Sequence, residues 1–527
     1  MDATRTPMDE PEPDRPVTVP GVLFPDPVSP SSEGRDSVSA SFRDLNLDQI
    51  VASVTAGKEE YDLAPFFRRP LQDANAIVFR QEVMRDLERS RLFDAIACFA
   101  EALRIMRGYL SRAEDFHCKL QEQRRILSAM ETYCAAVVRL ATDLTNEEPA
   151  ARGLSAFLEY LNDYIGSADF TAFRERVTKL VGDLAAIRYV MRVRGLGVEL
   201  DRHQGQADYG AEVQALFARF NPEPPPARPW KASDVRELNH VEIDVLDRVA
   251  ELYPQIFREL DDCVAAQKDF ADPAILAFDR EVQFYLSWLQ YLAPLRNAGL
   301  DFCYPVVTAT SKEVFDEGGF DLALAARLAR EGKLPVRNDF YLRDPERIVV
   351  VSGPNQGGKT TFARTVGQLH YLASLGCPVP GRRARLFLCD RLFTHFEKEE
   401  SVDNLRSKLQ DDLIRVHGIL AAATPQSIVI LNEIFTSTTV NDALELSKRI
   451  MTRLMRQDIL CVWVTFLDEL TLLGDPVVSM MSTVVPDNPA QRTYKILRRP
   501  ADGLAHALAI AEKYRVTYPA LKERIDS

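Results

Sequence analysis

The stretch Ile348-Val349-Val350-Val351-Ser352-Gly353-Pro354-Asn355-Gln356-Gly357-Gly358-Lys359-Thr360-Thr361 decides how this chain is read. Its second half matches G-x-x-x-x-G-K-[ST], a phosphate-binding loop. The context is the required one: an apolar run precedes it and a helical pattern starts near Phe362. Glycines there let successive backbone N–H groups turn onto phosphate oxygens. The helix N-terminus adds partial positive charge. Gly353 through Thr361 are therefore the expected nucleotide-binding residues. Lys359 is expected on the β- and γ-phosphates of ATP, and the Thr360 hydroxyl on Mg²⁺.

An acidic element is then needed at the end of a neighbouring strand. Ser427-Ile428-Val429-Ile430-Leu431-Asn432-Glu433 supplies one. The apolar run reads as a buried strand whose polar end lies beside the phosphates. Glu433 is the candidate general base for an attacking water. Asn432 stands where such sites usually carry the Asp that holds Mg²⁺ through water. An amide still accepts a hydrogen bond from metal-bound water but brings no charge, so weaker Mg²⁺ retention and slow turnover are expected. Alternation of apolar runs at 348–352, 386–389, 427–431 and 460–464 with helical segments predicts a largely parallel sheet covered on both faces.

Outward from this core, 527 residues suggest about two to four domains. The composition, 46% hydrophobic and 27% charged, supports a sizeable core. No run reaches the roughly 18 apolar residues of a membrane span. The N-terminus lacks a signal-peptide layout, and a cytoplasmic location is expected, without membrane. The eight cysteines form no C-x-x-C pair. Cys98, Cys134, Cys389 and Cys461 sit in apolar runs and read as reduced core residues. A net charge of −13 argues against a surface basic throughout, though not against a local basic groove.

Residues 1–40 are rich in Pro, Ser, Asp and Glu, a composition that predicts disorder. From about Ser41 to Arg188 the apolar spacing is helical. Leu87, Leu92, Ile96, Phe99, Leu103 and Met106 mark one long face, and Leu120, Ile126, Met130, Cys134, Val138 and Leu140 another. Near Ile187 the period changes. Tyr189 to Arg194, a Gly195-Leu196-Gly197 turn, and Val198 to Arg202 read as a β-hairpin carrying Arg188, Arg192 and Arg194 on one side. That ribbon is either a phosphate-contacting element or a solvated strand face. The proline-rich stretch 221–229 reads as a stiff connector. None of the seven histidines falls at metal-ligand spacing; His395 alone lies near the segment that leads to Ser407.

The chain resembles the MutS family of ABC-type ATPases. The family's G-P-N-x-G-G-K-[ST]-T stands at Gly353–Thr361, and its D-E-I-G-x-G-T-[ST] as Asn432 to Thr439. Its R-S-T-F segment is similar to Arg406-Ser407-Lys408-Leu409, and its F-A-T-H-Y-x-E-L to Trp463–Leu470. Phe79-Arg80-Gln81-Glu82-Val83 resembles an R-Q motif near the family's core domain, and Asp502–Ala509 its helical dimerisation end. The resemblance implies an α/β P-loop ATPase domain over 306–527, ending in dimerisation helices. Ahead of it come an elongated, mostly helical core and lever over 41–305, with a reduced clamp hairpin near 187–202, and the disordered tail 1–40. It implies ATP hydrolysis, with Ser407 contacting the γ-phosphate of the partner subunit's nucleotide, in a homodimer that switches a DNA-binding clamp. About 45 residues precede the core-like part, so the mismatch-reading domains of the family are expected to be missing. Phe173-Arg174-Glu175 matches the mismatch wedge F-x-E but falls in a helical stretch.

The departures are Asn432 for Asp, Phe435-Thr436 for a flexible Gly-Arg/Lys pair, and Phe466 for His. They concern hydrolysis rather than binding. Two alternatives stand beside the DNA clamp: an ATPase that remodels ribosomes or structured RNA, as the resemblance to a family branch without the mismatch domains implies, and a nucleotide-gated scaffold with little hydrolysis, which Asn432 and Phe466 support. For the adenine-stacking residue, Phe340 and Tyr341 are the candidates.

Overall fold

The computed structural model describes residues 21–25, 40–113, 116–195, 197–205, 238–266, 269–396, 408–485, 488–501 and 522. Contacts gather the chain into two compact units. One takes residues 1–90, 150–155 and 280–527, the other 91–149 and 156–279. The segments around 40–90 and 280–305, expected with the helical region, thus group with the P-loop. The reason is visible at the Arg-Gln pair of the helix Ala74–Asp86. Arg80 is buried and donates from Nε to Leu23 O (3.0 Å) and from Nη1 to Leu375 O (3.1 Å). Gln81 Nε2 donates to Pro305 O at 3.1 Å. A buried guanidinium is tolerated only with such acceptors, so this pair is a structural brace.

The same brace corrects the expectation of disorder for residues 1–40 at one place. Val22 and Leu23 are fully buried, and their N–H groups donate to the Glu281 carboxylate at 2.7 and 3.2 Å. The Tyr285 hydroxyl donates to Val22 O. A polar average over forty residues hid the short apolar run Val22-Leu23-Phe24. Residues 1–20 and 26–39 lie outside the described residues, as does the connector 221–229.

The P-loop unit is built on a six-stranded sheet in the order 392–396, 428–432, 460–464, 348–352, 477–485, 488–498. The first five strands are parallel, and 488–498 returns antiparallel at one edge. Parallel strands need both faces covered. The helix Lys359–Ser374 covers one face. On the other, Val350, Val429, Leu431, Cys461 and Trp463 pack against Val416, Leu420, Ile450, Met451 and Leu454. Those last five come from the helices Lys408–Ala422 and Val440–Arg456. Of the expected strands, 348–352 and 460–464 match, and 427–431 is displaced by one residue to Ile428–Asn432. The fourth is corrected: the strand is Arg383–Phe387 and belongs to a separate four-stranded sheet with 306–308, 314–319 and 338–342. Leu388 instead donates its N–H to Thr308 O (2.8 Å), where the strand has already ended.

The second unit is mostly helical. Leu92, Ile96, Phe99, Leu103 and Met106 are all buried on the helix Ser90–Ala113. Leu87 is not on that helix, because the chain turns between Asp86 and Ser90, Arg89 N–H donating to Asp86 O (3.0 Å). Phe173 is buried in the helix Ala168–Ala185 and packs on Phe270, a core role rather than a wedge. The expected hairpin is present as Tyr189–Arg194 and Gly197–Arg202. Its basic face is partly neutralised: Arg192 meets Asp201 at 3.0 Å and Arg194 meets Glu199 at 3.8 Å, while Arg188 donates to the Ala185 and Ile187 carbonyls. In register, residues 199 and 201 pair with 192 and 190, so these carboxylates share the arginine face. All eight thiols are free, and Cys98, read as core, is exposed. No described helix is long and apolar enough to cross a membrane.

Candidate functional site

The parallel strands end together at one edge, and the loops that follow bring the expected residues into one place. The loop 353–358 joins the strand Ile348–Ser352 to the helix Lys359–Ser374. No side chain caps that helix, so its first N–H groups remain available to an anion. Gly353 has φ +112°. A Cβ there would stand 2.9 Å from Ser482 O, and at Gly357 2.0 Å from Ser482 Oγ. The loop is pressed onto the strand Val477–Val485 too closely for any side chain at these positions. Ser482 Oγ donates to Gly357 O at 2.9 Å and fixes that approach.

Lys359 is buried and its ammonium is held by the loop itself. Nζ donates to Gly353 O (2.8 Å), Asn355 Oδ1 (3.3 Å) and Pro354 O (3.4 Å). Glu433 Oε1 lies 3.7 Å away. Burial pushes the Lys359 pKa down, opposed by Glu433 and Asp468 and assisted by Arg492. Thr360 Oγ1 donates to Asn432 Oδ1 at 2.9 Å. The two proposed metal-site residues, 72 positions apart, are therefore in direct contact. Glu433 follows at the strand end, its N–H donating to Val464 O (2.9 Å) and its φ at +50°.

This arrangement fits a triphosphate: a glycine cradle with no room for a Cβ, an uncapped helix N-terminus and a buried ammonium. It fits Mg²⁺ less fully. Two neutral oxygens, Thr360 Oγ1 and Asn432 Oδ1, meet there, with Glu433 the nearby carboxylate. Mg²⁺ prefers oxygen ligands and keeps several waters, so the nucleotide's own oxygens would carry most of its binding. Among the described residues no group of three or more His, Cys, Asp or Glu forms a separate metal site.

Other expectations resolve differently. Phe340 is buried and packs edge-on against Phe362 of the P-loop helix, so it is core and unavailable for stacking on a base. Tyr341 is exposed, with the Arg498 guanidinium 4.3 Å from its ring centre. Phe466 is half exposed at the end of the strand Leu460–Val464. His395 is buried; its Nε2 lies 2.8 Å from Asp412 Oδ1, and Asp412 Oδ2 accepts the Phe435 N–H at 3.1 Å. Ser407 and the segment 502–509 lie outside the described residues.

Four site residues escaped the sequence reading. Ser482 backs the loop. Arg492 Nε donates to Asn355 O at 3.1 Å. Tyr494, with φ +59°, lies with its backbone about 3.7 Å from where a Gly358 Cβ would stand. Asp412 supports the turn after Glu433. All are far from the motif in sequence, and the only available signal was polar residues interrupting apolar runs.

Residues 349–513 match the MutS domain V family. Across a longer span the chain is 28% identical over 446 residues to a DNA mismatch repair protein MutS of Erythrobacter litoralis. The segment that carries the P-loop and Glu433 is thus similar to MutS domain V, and most of the chain is similar to MutS proteins. That alignment takes in 80% of this chain and 48% of the relative, so the chain spans about half the relative's length. An Endonuclease MutS2 of Gemmatimonas aurantiaca is 28% identical over 297 residues, 55% of this chain and 34% of that protein. A DNA mismatch repair protein MutS 2 of Halobacterium salinarum is 36% identical over 115 residues, 22% of this chain and 13% of that one. The P-loop, Asn432, Glu433 and Ser482 all fall within the part that matches MutS domain V.

Proposed function

We propose that this MutS-like chain binds ATP with Mg²⁺ and hydrolyses it slowly, in composite sites of a homodimer, to switch a clamp on DNA. The observation that supports it most is the meeting of Lys359, Thr360, Asn432 and Glu433 at one sheet edge, with Thr360 and Asn432 2.9 Å apart and Lys359 and Glu433 3.7 Å apart. In this reading the loop amides and Lys359 hold the phosphate oxygens, and Lys359 offsets the charge that develops on them. Glu433 accepts a proton from the attacking water as its oxygen bonds to the γ-phosphorus and the bond to ADP breaks. Mg²⁺, when bound, neutralises charge on the phosphates. Thr360 and Asn432 orient its ligands with neutral oxygens, which supports slow turnover. The composite-site part rests on the Ser407 segment, and the DNA part on the resemblance and the relatives' names. The hairpin face, with Arg192 and Arg194 paired to carboxylates, adds little to the latter.

The test is the ATPase rate of wild type and Lys359→Met, with and without duplex, branched and single-stranded DNA, at two salt concentrations. Expected is a Lys359-dependent rate that DNA changes, with the change weakening at high salt as phosphate contacts are screened. A rate indifferent to every DNA removes the DNA clamp and directs attention to ribosomes or structured RNA. The second reading, a scaffold that binds nucleotide and barely hydrolyses it, is favoured by Asn432 and Phe466. Tight ATP binding without Lys359-dependent turnover would select it.

A further inference from the structure

The turn that carries Glu433 is conformationally unusual. Glu433 and Phe435 both have left-handed backbone, φ +50° and +63°. Neither is glycine, and for a bulky residue such a conformation persists only where its surroundings impose it. Two contacts hold the turn. Glu433 N–H donates to Val464 O on the neighbouring strand. Phe435 N–H donates to Asp412 Oδ2 at 3.1 Å, and the Phe435 ring is fully buried in the core beneath the sheet.

Asp412 is itself held. It lies on the helix Lys408–Ala422 and is buried. Its other carboxylate oxygen faces His395 Nε2 at 2.8 Å. His395, also buried, is on the sheet-edge strand Leu392–Phe396, one residue before Phe396, which pairs with Asn432. His395 Nδ1 is buried with no hydrogen-bond partner. Nε2 is therefore the ring nitrogen through which His395 meets Asp412. Burial alone would raise the Asp412 pKa, but the bonds from His395 and the Phe435 N–H outweigh it and hold the carboxyl below its usual range. The result is an ionised acceptor, fixed from one side and gripping the catalytic turn from the other.

We propose that Asp412, oriented by His395, is a positioning residue that holds the Glu433–Phe435 turn and so sets Glu433 on the water that attacks ATP. This rests on the ATPase reading above. Asp412 does not touch the P-loop, so its loss should leave nucleotide binding in place and disturb the chemical step.

The experiment compares the full-length wild type with Asp412→Ala and Asp412→Asn by single-turnover hydrolysis, affinity for a fluorescent ATP analogue, thermal unfolding, and hydrogen exchange of a peptide covering 432–436. Asp412→Ala should slow hydrolysis about 10- to 100-fold, leave analogue affinity within about 2-fold of wild type, and speed exchange in that peptide. Asp412→Asn keeps an oxygen for the Phe435 N–H but leaves the His395 side mismatched. It should unfold at lower temperature yet hydrolyse within about 3-fold of wild type. A merely structural role would make rate follow stability across the two variants, and that pattern overturns the proposal, as does an unchanged rate in Asp412→Ala. Should Asp412→Ala not fold, Asp412→Ser, whose hydroxyl is too short to reach the Phe435 N–H, carries the test: slower hydrolysis at unchanged affinity supports it, an unchanged rate sinks it. If wild type shows no Lys359-dependent turnover, the ATPase reading has failed instead. The exchange measurement then still decides whether Asp412 holds the turn.

Discussion

The P-loop and the turn at Asn432–Thr436 sit side by side on the same sheet edge, yet they depart from their family pattern to very different degrees. The loop keeps every expected residue, and its surroundings constrain three of them: Ser482 excludes side chains at Gly353 and Gly357, and three acceptors seat Lys359. The turn has exchanged a carboxylate for an amide at 432 and a glycine for a buried phenylalanine at 435. In the proposed reading, binding would depend on one strand–loop–helix unit and hydrolysis on the end of another strand, so the second could be retuned while the first stays fixed.

Breaking that division should give the largest effect. Glu433→Gln keeps the size of the side chain and removes the base, so turnover should fall by about 10²- to 10⁴-fold while ATP affinity is unchanged. Steady-state kinetics beside equilibrium nucleotide binding would show it, and a parallel loss of both would mean the two regions are not separable. Restoring the family's charge sharpens the comparison from the other side. Asn432→Asp gives the Thr360 hydroxyl and metal-bound water an ionised acceptor, worth roughly twice a neutral one. Mg²⁺ titrations of ATPase activity should shift to about tenfold lower metal, with faster turnover.

A smaller effect tests the backbone. Replacing Phe435 empties part of the core and costs about 3–5 kcal/mol. At φ +63°, however, glycine escapes the roughly 1–2 kcal/mol penalty that any side chain meets there. Phe435→Gly should therefore be more stable than Phe435→Ala, by about 1 kcal/mol in denaturant unfolding, the reverse of the order in an ordinary helix or strand. The smallest is the pH response. The folded-state pKa of Asp412 is depressed, so its contribution to stability is present above the unfolded value near about 3.9 and is lost as pH falls through the folded value. Asp412→Asn should flatten the acid limb of the stability profile and leave its neutral range parallel to wild type. An unchanged acid limb would show that the carboxylate is not preferentially stabilised in the fold.

What was legible in the sequence follows the same line. Buried parallel strands are continuous apolar runs, so 348–352, 428–432 and 460–464 could be read within one residue, and with them Lys359, Thr360, Asn432 and Glu433 at their ends. The strand Leu392–Phe396 holds a Thr and a His with structural partners, Asp44 and Asp412, and so broke the pattern. The strand 488–498, at the sheet edge among the described residues, is polar and so lacks the apolar run that marks a buried strand. Asp412, Ser482 and Arg492 act through contacts 23, 125 and 137 positions away, a range at which local spacing carries no signal. Phe340 was misjudged because an aromatic just before the loop looks the same whether it faces a base or the core.

The buried seat of Val22 and Leu23 bears on how this protein can be cut. The polar stretch ahead of residue 40 invites removal by protease or by a later start codon. A chain beginning at residue 40 would strip the Leu23 carbonyl from the Arg80 guanidinium and two N–H donors from the Glu281 carboxylate. Arg80 is buried beside the P-loop helix's end and Glu281 is partly buried, and an unmet hydrogen bond to a buried charged group costs about 1–3 kcal/mol or more. Trimming to residue 21 should be harmless by that measure. Trimming nineteen residues further should turn a well-behaved protein into one that aggregates before its ATPase can be measured.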